Sequence, residues 1–209
     1  MEYICNVRTS PEDKRDYIFV GTTGKLPDTL DYRNDLQIIR NQGNQGTCYA
    51  QSAACIKEWQ EFKDYGYKGQ LSPQFFYNNR TNVYDDNEKN DNGMFSRDVM
   101  KLLTTMGICT EHTYPYGKIE DHSDIPNKVY EEAKSHLIKA YAKVTDLEKT
   151  KRSLCENGPC FITFPVYNYT SEFWKETDKT KERIGGHAVV LVGYTAEGFI
   201  VRNSWGLKW

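Results

Sequence analysis

No run of apolar residues in this 209-residue sequence approaches the length of a membrane-spanning helix, and its opening, MEYICNVRTSPEDKRDYIFV, lacks the continuous apolar stretch of a signal peptide. Nor is there an excess of charge of one sign. The 27 Lys and Arg are interspersed with 29 Asp and Glu, for a net charge of -2, without the basic stripe that a nucleic-acid or anionic-membrane surface needs. Neither nucleic acid nor membrane is an expected partner. The six cysteines, at 5, 48, 55, 109, 155 and 160, never fall in the paired spacing of a metal site, so no metal and no cofactor are expected. By number they could form three bridges, but the missing leader points to a cytoplasmic or otherwise reducing intracellular setting where structural thiols stay free. Nothing in the sequence sets an oligomeric state.

What is present is enough apolar material, 38% hydrophobic with 13% aromatic, to bury a core as one domain or two small lobes. Residues 1–25 are polar, with one short strand-like piece, DYIFV, before the turn signals GTTGKLPD; they read as an extension rather than a domain. Three helices follow. One starts at Cys48, carries Cys55, Trp59 and Phe62 on one face and stops at Gly66. The next has Ser72 as N-cap and Pro73 at its first position. The third starts near Ser96, spaces Val99, Leu102, Leu103 and Met106 at helical intervals and ends at Gly107. Between them YDDNEKNDN reads as a solvated loop.

After TYPYG the texture changes. IKAYAKVT reads as a strand, Thr145 and Glu148 make a capping box for a short helix, and Asn157-Gly158 end it. CFITFPVY, HAVVLVGY and GFIVRNSW then read as strands. The expected class is therefore α+β: a mainly helical lobe over 26–125, a mainly β lobe over 126–209, and a site in the cleft between them.

Cys48 stands at the first turn of a helix, where unpaired backbone N–H groups and the helix dipole favour a thiolate. Of the four histidines, His112, His122 and His136 lie in ordinary loop or helix contexts, whereas His187 follows two glycines and opens a buried-looking strand. HAVVLVGY and GFIVRNSW join at about Thr195 to Gly198, so His187 and Asn203 fall near the same end of an antiparallel pair. For both side chains to face one side, the hairpin needs an odd-length connection or a β-bulge, because faces alternate with period two. The Asn203 oxygen would then accept from one ring N–H and leave the other nitrogen for the thiol.

NQGNQGTCYAQSA, GGHAVVLVGY and VRNSWGLKW resemble the three signature blocks of papain-like cysteine peptidases, the cathepsin family, and LSPQFFYNN and TYPYG resemble further family segments. The resemblance runs from about Leu26 to Trp209. It implies a two-lobed papain-like fold and an enzyme that hydrolyses peptide bonds of a peptide or protein substrate. Cys48 would be the nucleophile, His187 the general acid and base, Asn203 its orienter, and Gln42 the side-chain donor of an oxyanion hole. Trp205 would cover the Asn203–His187 hydrogen bond. Gly93, in NDNGMF, would pair with an extended substrate; Met94, Phe95, Thr163, Ala188 and Gly186 would lie along its binding cleft. For Thr163 and Ala188 ordinary strand packing is an equal reading. The absence of an occluding insertion favours endopeptidase action.

The sequence also departs from the family pattern. Gln45 replaces a common cysteine, so one usual disulfide cannot form; Tyr49 replaces tryptophan, and Gly186 replaces asparagine or aspartate. Some 25 residues precede the resemblance where relatives carry a long inhibitory prodomain, and RTSPEDKRDYIFV resembles the N-terminal segments of propeptide-poor enzymes from bacteria and large viruses. A viral origin would place the protein in virion or host cytosol. These residues could plug the cleft or pack as a strand. The chain stops at Trp209, inside a block that relatives continue into a further strand. A binding module with a blocked or incomplete cleft, and an acyl or peptidyl transferase, are the alternatives to a hydrolase.

Overall fold

A computed structural model describes residues 3–82, 90–180 and 182–209. The element order among them is β1 (Leu30–Asp31), α1 (Cys48–Tyr65), α2 (Pro73–Asn78), α3 (Ser96–Thr105), α4 (Asn127–Ala133), α5 (Leu147–Asn157), β2 (Cys160–Val166), β3 (Gly185–Tyr194) and β4 (Phe199–Arg202), with short 3-10 turns between. Most of the polar loop YDDNEKNDN lies outside the described residues.

α1 begins at Cys48 and ends where Gly66 takes the left-handed conformation, φ 69°, and returns its N–H to the last turn. Its middle is buried nearly all round: Ala50, Ala53 and Ala54 are inaccessible, and Lys57, Glu58 and Glu61 are buried too. The helix is central because two layers pack on it. Tyr49, Ala50, Ala53 and Ala54 join Leu71, Phe76, Val99, Leu102 and Leu103 in the helical lobe, while Cys55 and Ile56 pack on Val190 and Val192 of β3. Its buried acids are paired: Glu58 with Arg40 and with the Leu71 amide at 2.6 Å, Glu61 with Lys57 at 2.6 Å. Such pairing is what makes a buried charge tolerable. Ser72 caps α2 by accepting from the Phe75 amide, with Pro73 at the first helical position as expected.

β3 is the centre of an antiparallel sheet, flanked by β2 and β4, with β1 on its C-terminal end. Its residues are almost uniformly buried because both faces are covered. Ala188, Val190 and Val192 face the helical side, and Val189 and Leu191 face clusters of the β lobe. A strand covered on both faces reads as a continuous apolar run rather than an alternation. The lobes exchange chain: β1 comes from the helical half of the sequence, while Val129 and Ala133 of α4 pack beside Phe75 and Cys109.

Two sequence expectations are corrected. IKAYAKVT is not a strand. Its only ladder contact among the described residues is the parallel bridge from Lys143 to Ile18, the one pairing that DYIFV makes. The hydrogen bonds are Lys143 N to Tyr17 O at 2.7 Å and Phe19 N to Lys143 O at 2.9 Å; without a continuing partner the segment stays extended but unladdered. α5 is capped by Asp146, not by a Thr145–Glu148 box: the Asp146 carboxylate accepts from Lys149 N at 2.8 Å. The carboxylate brings charge as well as an acceptor to the helix N-terminus.

Candidate active site

The hairpin resolves as the parity argument requires. β3 and β4 pair Tyr194 with Phe199 and Gly193 with Ile200, then shift register between Leu191 and Gly193, so that Leu191 meets Val201 and Val190 meets Arg202. That bulge turns His187 and Asn203 to the same side. His187 Nε2 and Asn203 Oδ1 are 2.7 Å apart, and the same oxygen accepts from Ser204 N at 2.8 Å, which fixes the amide. Trp205 stacks on the imidazole, ring centroids 4.5 Å apart and planes within 24°, and is itself 1% exposed. The His187 Nδ1 atom makes no hydrogen bond, so this nitrogen is left for the thiol side of the cleft.

Cys48 sits at the N-terminus of α1 and is 1% exposed. Burial pushes its thiol up to about 11, against the hydrogen bonds from the backbone of Ala188, Tyr49 and Cys48 itself that favour the thiolate. Burial likewise depresses His187 to about 4, against the Asn203 hydrogen bond that supports the imidazolium. The helix terminus and these hydrogen bonds favour the charged forms, and loss of water around both groups acts against them and is the larger effect.

Gln42 is held from three sides. Its amide N donates to Ser204 O at 2.8 Å, its Oε1 accepts from Ser204 Oγ at 2.8 Å, and its backbone carbonyl accepts from the Tyr116 hydroxyl at 2.8 Å. Tyr116 also shares a 2.7 Å hydrogen bond with Thr47, the residue before Cys48. Gln42 Nε2 is thereby turned into the cleft, where it donates to Ile4 O at 3.2 Å and Gln45 O at 3.0 Å. Ser204 and Tyr116 were not singled out in the sequence, although both lie within quoted blocks, VRNSW and TYPYG.

Ile4 belongs to the N-terminal extension, and its position explains the burial. Tyr3 stacks on Trp205 at 4.7 Å and donates its hydroxyl to Trp205 O at 2.8 Å. Cys5 O accepts from Gly186 N at 3.0 Å, Val7 N donates to Gly186 O at 3.1 Å, and Arg8 N donates to Met94 O at 3.0 Å. The extension thus makes parallel bridges at Gly186 and Phe95, lying between the His187 strand and the 91–95 segment. Further along it is anchored by Arg97, which grips Asp16 with two 2.8 Å bonds, and by Glu156, which accepts from Thr22 N at 2.9 Å. The Cys5 thiol is pushed up to about 12 by burial, with Cys48 adding to the rise.

The remaining cleft residues divide. Gly93 is left-handed, φ 72°, and a Cβ there would lie 2.1 Å from Asn6 O, so the closeness of the extension requires glycine. Its N–H donates to the Tyr77 hydroxyl at 3.0 Å, and the carbonyl of the next residue, Met94, accepts from Arg8 N. Met94 and Ala188 are core residues, with Val7 of the extension packed on their cluster. Phe95 lies under the Arg8 guanidinium, 4.2 Å from its ring. Thr163, paired with Ala188, lines a cavity of about 490 Å³ with Val7, Tyr49, Met100 and Phe161. The five do not form one pocket, because packing claims Met94 and Ala188 while the extension covers Phe95 and Gly186. Cys55 and Cys109 are buried, and all six cysteines are free. Among the described residues no cluster of His, Cys, Asp or Glu could hold a metal.

A cysteine at the start of a helix that takes a hydrogen bond from the Ala188 backbone, next along that strand to an imidazole held by an asparagine, is the arrangement of a thiol-peptidase class of site. The chain belongs to the papain family of cysteine proteases, which it matches over residues 26–209. It is 28% identical over 191 residues, 81% of its length, to an uncharacterized peptidase C1-like protein of Acanthamoeba polyphaga mimivirus, of which this covers 60%. It is 29% identical over 198 residues, 89% of its length, to mouse (Mus musculus) cathepsin K, covering 58% of that protein. The chain therefore spans about 60% of the length of these curated relatives. Among solved structures, xylellain, a cysteine protease from Xylella fastidiosa, superposes with a TM-score of 0.85 at 26% identity, over 97% of this chain and 84% of the other. The two-lobed papain-like fold is established by that likeness.

Proposed function

We propose that the chain is a cysteine endopeptidase whose cleft is held closed by its own residues 1–25. The observation that carries the reading is the Ile4 carbonyl on Gln42 Nε2: a peptide carbonyl already occupies the donor that an oxyanion would need, beside the buried thiol. When the extension leaves and water returns, the penalty on both charged forms falls and the proton passes from Cys48 Sγ to His187 Nδ1. The thiolate then attacks a substrate carbonyl carbon, and the tetrahedral oxyanion accepts from Gln42 Nε2 and the Cys48 N–H. His187 gives its proton to the leaving amine as the C–N bond breaks. Water, deprotonated by the same imidazole, hydrolyses the thioester and regenerates the thiol. Asn203 keeps the ring in the orientation both steps need, and Trp205 keeps water off their hydrogen bond.

The test is mass-spectrometric mapping of Cys48 alkylation against pH, alongside cleavage of an unstructured protein substrate, on the full chain and on a chain beginning at Leu26. The reading expects labelling of the shortened chain to persist well below pH 7 and to be matched by cleavage within the substrate chain that Cys48→Ala abolishes. Slow labelling of both chains that rises only near the ordinary thiol pKa of about 8.5, without cleavage, would replace the enzyme with a binding module.

A further inference from the structure

We propose that Asp91 is a positioning residue for the nucleophile, its carboxylate tying the turn ahead of Cys48 to the Gly93 segment. The proposal rests on the peptidase reading for its meaning, not for its test. Gly46, two residues before Cys48, donates its N–H to both Asp91 oxygens, at 3.0 and 2.8 Å. The Tyr77 hydroxyl donates to Asp91 Oδ1 at 2.5 Å and accepts from Gly93 N at 3.0 Å. One carboxylate and one phenol therefore join the two backbone segments that flank the cleft. Charge-assisted bonds of this kind are the strong ones, and no covalent bridge supports them, since Gln45 stands in this turn and every cysteine is free.

The supports are themselves built in. Tyr77 is inaccessible to solvent, and the Arg80 guanidinium lies 4.5 Å over its ring while donating to Asn90 O at 2.5 Å. That cation steadies the segment whose next residue carries the acid. The extension adds to the same clasp when in place: Asn6 Nδ2 donates to Asp91 O at 2.5 Å, and its side chain occupies the space where a Cβ on Gly46 would lie.

The clasp has an electrostatic consequence. The titratable groups that interact with Cys48 are Tyr49 beside it on α1, Cys5 on the extension and Asp91; burial is the largest cause of the raised thiol, and the Asp91 charge adds to it. Asp91 is thus asked to aim the nucleophile while opposing its ionisation, two effects of opposite sign.

The experiment compares Asp91→Asn, Asp91→Glu and Tyr77→Phe, reading the pH dependence of Cys48 alkylation and the thermal midpoint in the full chain, and peptide hydrolysis in the same variants of the chain beginning at Leu26. Asp91→Asn keeps the shape and drops the charge. It is expected to label about threefold faster at a fixed pH on the rising limb, while kcat falls about tenfold because the turn is held by fewer bonds. Asp91→Glu is expected to return the limb to the wild-type pH without restoring kcat. Tyr77→Phe, which leaves the carboxylate on Gly46, is expected to leave the limb in place and raise KM through the Gly93 segment. The proposal is overturned if Asp91→Asn labels as wild type does, or if Tyr77→Phe moves the limb equally, since then only a loosened fold is at work. Absence of hydrolysis from both the full wild-type chain and the wild-type chain beginning at Leu26 would sink the peptidase reading, and the labelling comparison would still decide the role of Asp91.

Discussion

Tyr3 is the residue on which closure of the cleft can be tested with least disturbance. Its side chain contributes a face-to-face contact with Trp205 at 4.7 Å, an edge contact with Tyr169 at 6.0 Å and one hydrogen bond, to the Trp205 carbonyl at 2.8 Å. An aromatic pair contributes about 0.5–1.5 kcal/mol beyond its area, and a hydrogen bond about 0.5–1.5 kcal/mol net. Tyr3→Ala also gives up the buried area of the ring and the Tyr169 contact, so it should weaken the hold of the extension by at least about 1–3 kcal/mol, raising the open population at least roughly 5- to 150-fold. Tyr3→Phe keeps the ring and loses the hydrogen bond, for roughly 2- to 12-fold. Since alkylation at pH 7 requires exposure of a thiol that is 1% exposed in the closed chain, its rate should follow the open population in the order wild type, Tyr3→Phe, Tyr3→Ala. The assay is the second-order rate of Cys48 modification, assigned by mass spectrometry, with the thermal midpoint as a check that the body stays folded. Equal rates in all three chains, with midpoints unchanged, would refute the idea that the extension gates the thiol.

Other expectations follow from the same geometry. His187 is held near 4 by burial, against an ordinary value of 6.5. Its unfolded form therefore binds more protons between those values, and stability present above about pH 6.5 is lost as pH falls through about 4, on the order of 3 kcal/mol in all. Urea midpoints at pH 7 and pH 4.5 should differ accordingly, and less so in His187→Gln. Gln42→Ala, in a chain freed of its extension, should lower kcat roughly ten- to a thousandfold, measured with a peptide substrate; an unchanged kcat would remove Gln42 from the oxyanion hole. Asp146→Ala should cost about 1 kcal/mol in a urea melt while Thr145→Ala costs much less, because the N-terminus of α5 is held by the Asp146 carboxylate.

Much of the site was legible in the chain because its signals are local or periodic. The start of α1 at Cys48, the Ser72–Pro73 cap and the Gly66 stop each depend on a few adjacent residues. The side-sharing of His187 and Asn203 depends on strand parity, which is why a bulge could be required before it was seen, between Leu191 and Gly193. The misplaced cap of α5 shows how fine that reading is. Thr145 and Asp146 both make good caps, and it is Asp146 that takes the extended N-cap conformation with its carboxylate on Lys149 N.

The amino-acid sequence by itself thus determined the helical and β halves, the order of Cys48, His187 and Asn203 along the chain, and the turn into α1. Tertiary structure alone decided the protonation of the site and what fills it. Helix dipoles and hydrogen bonds to Cys48 are properties of nearby residues, but desolvation depends on what distant chain lies above, here Tyr3 to Arg8. The same holds for Asp91 and Tyr77. Nothing in their neighbouring residues marks them, because their partners Gly46 and Gly93 belong to segments that meet only once the helical lobe has packed.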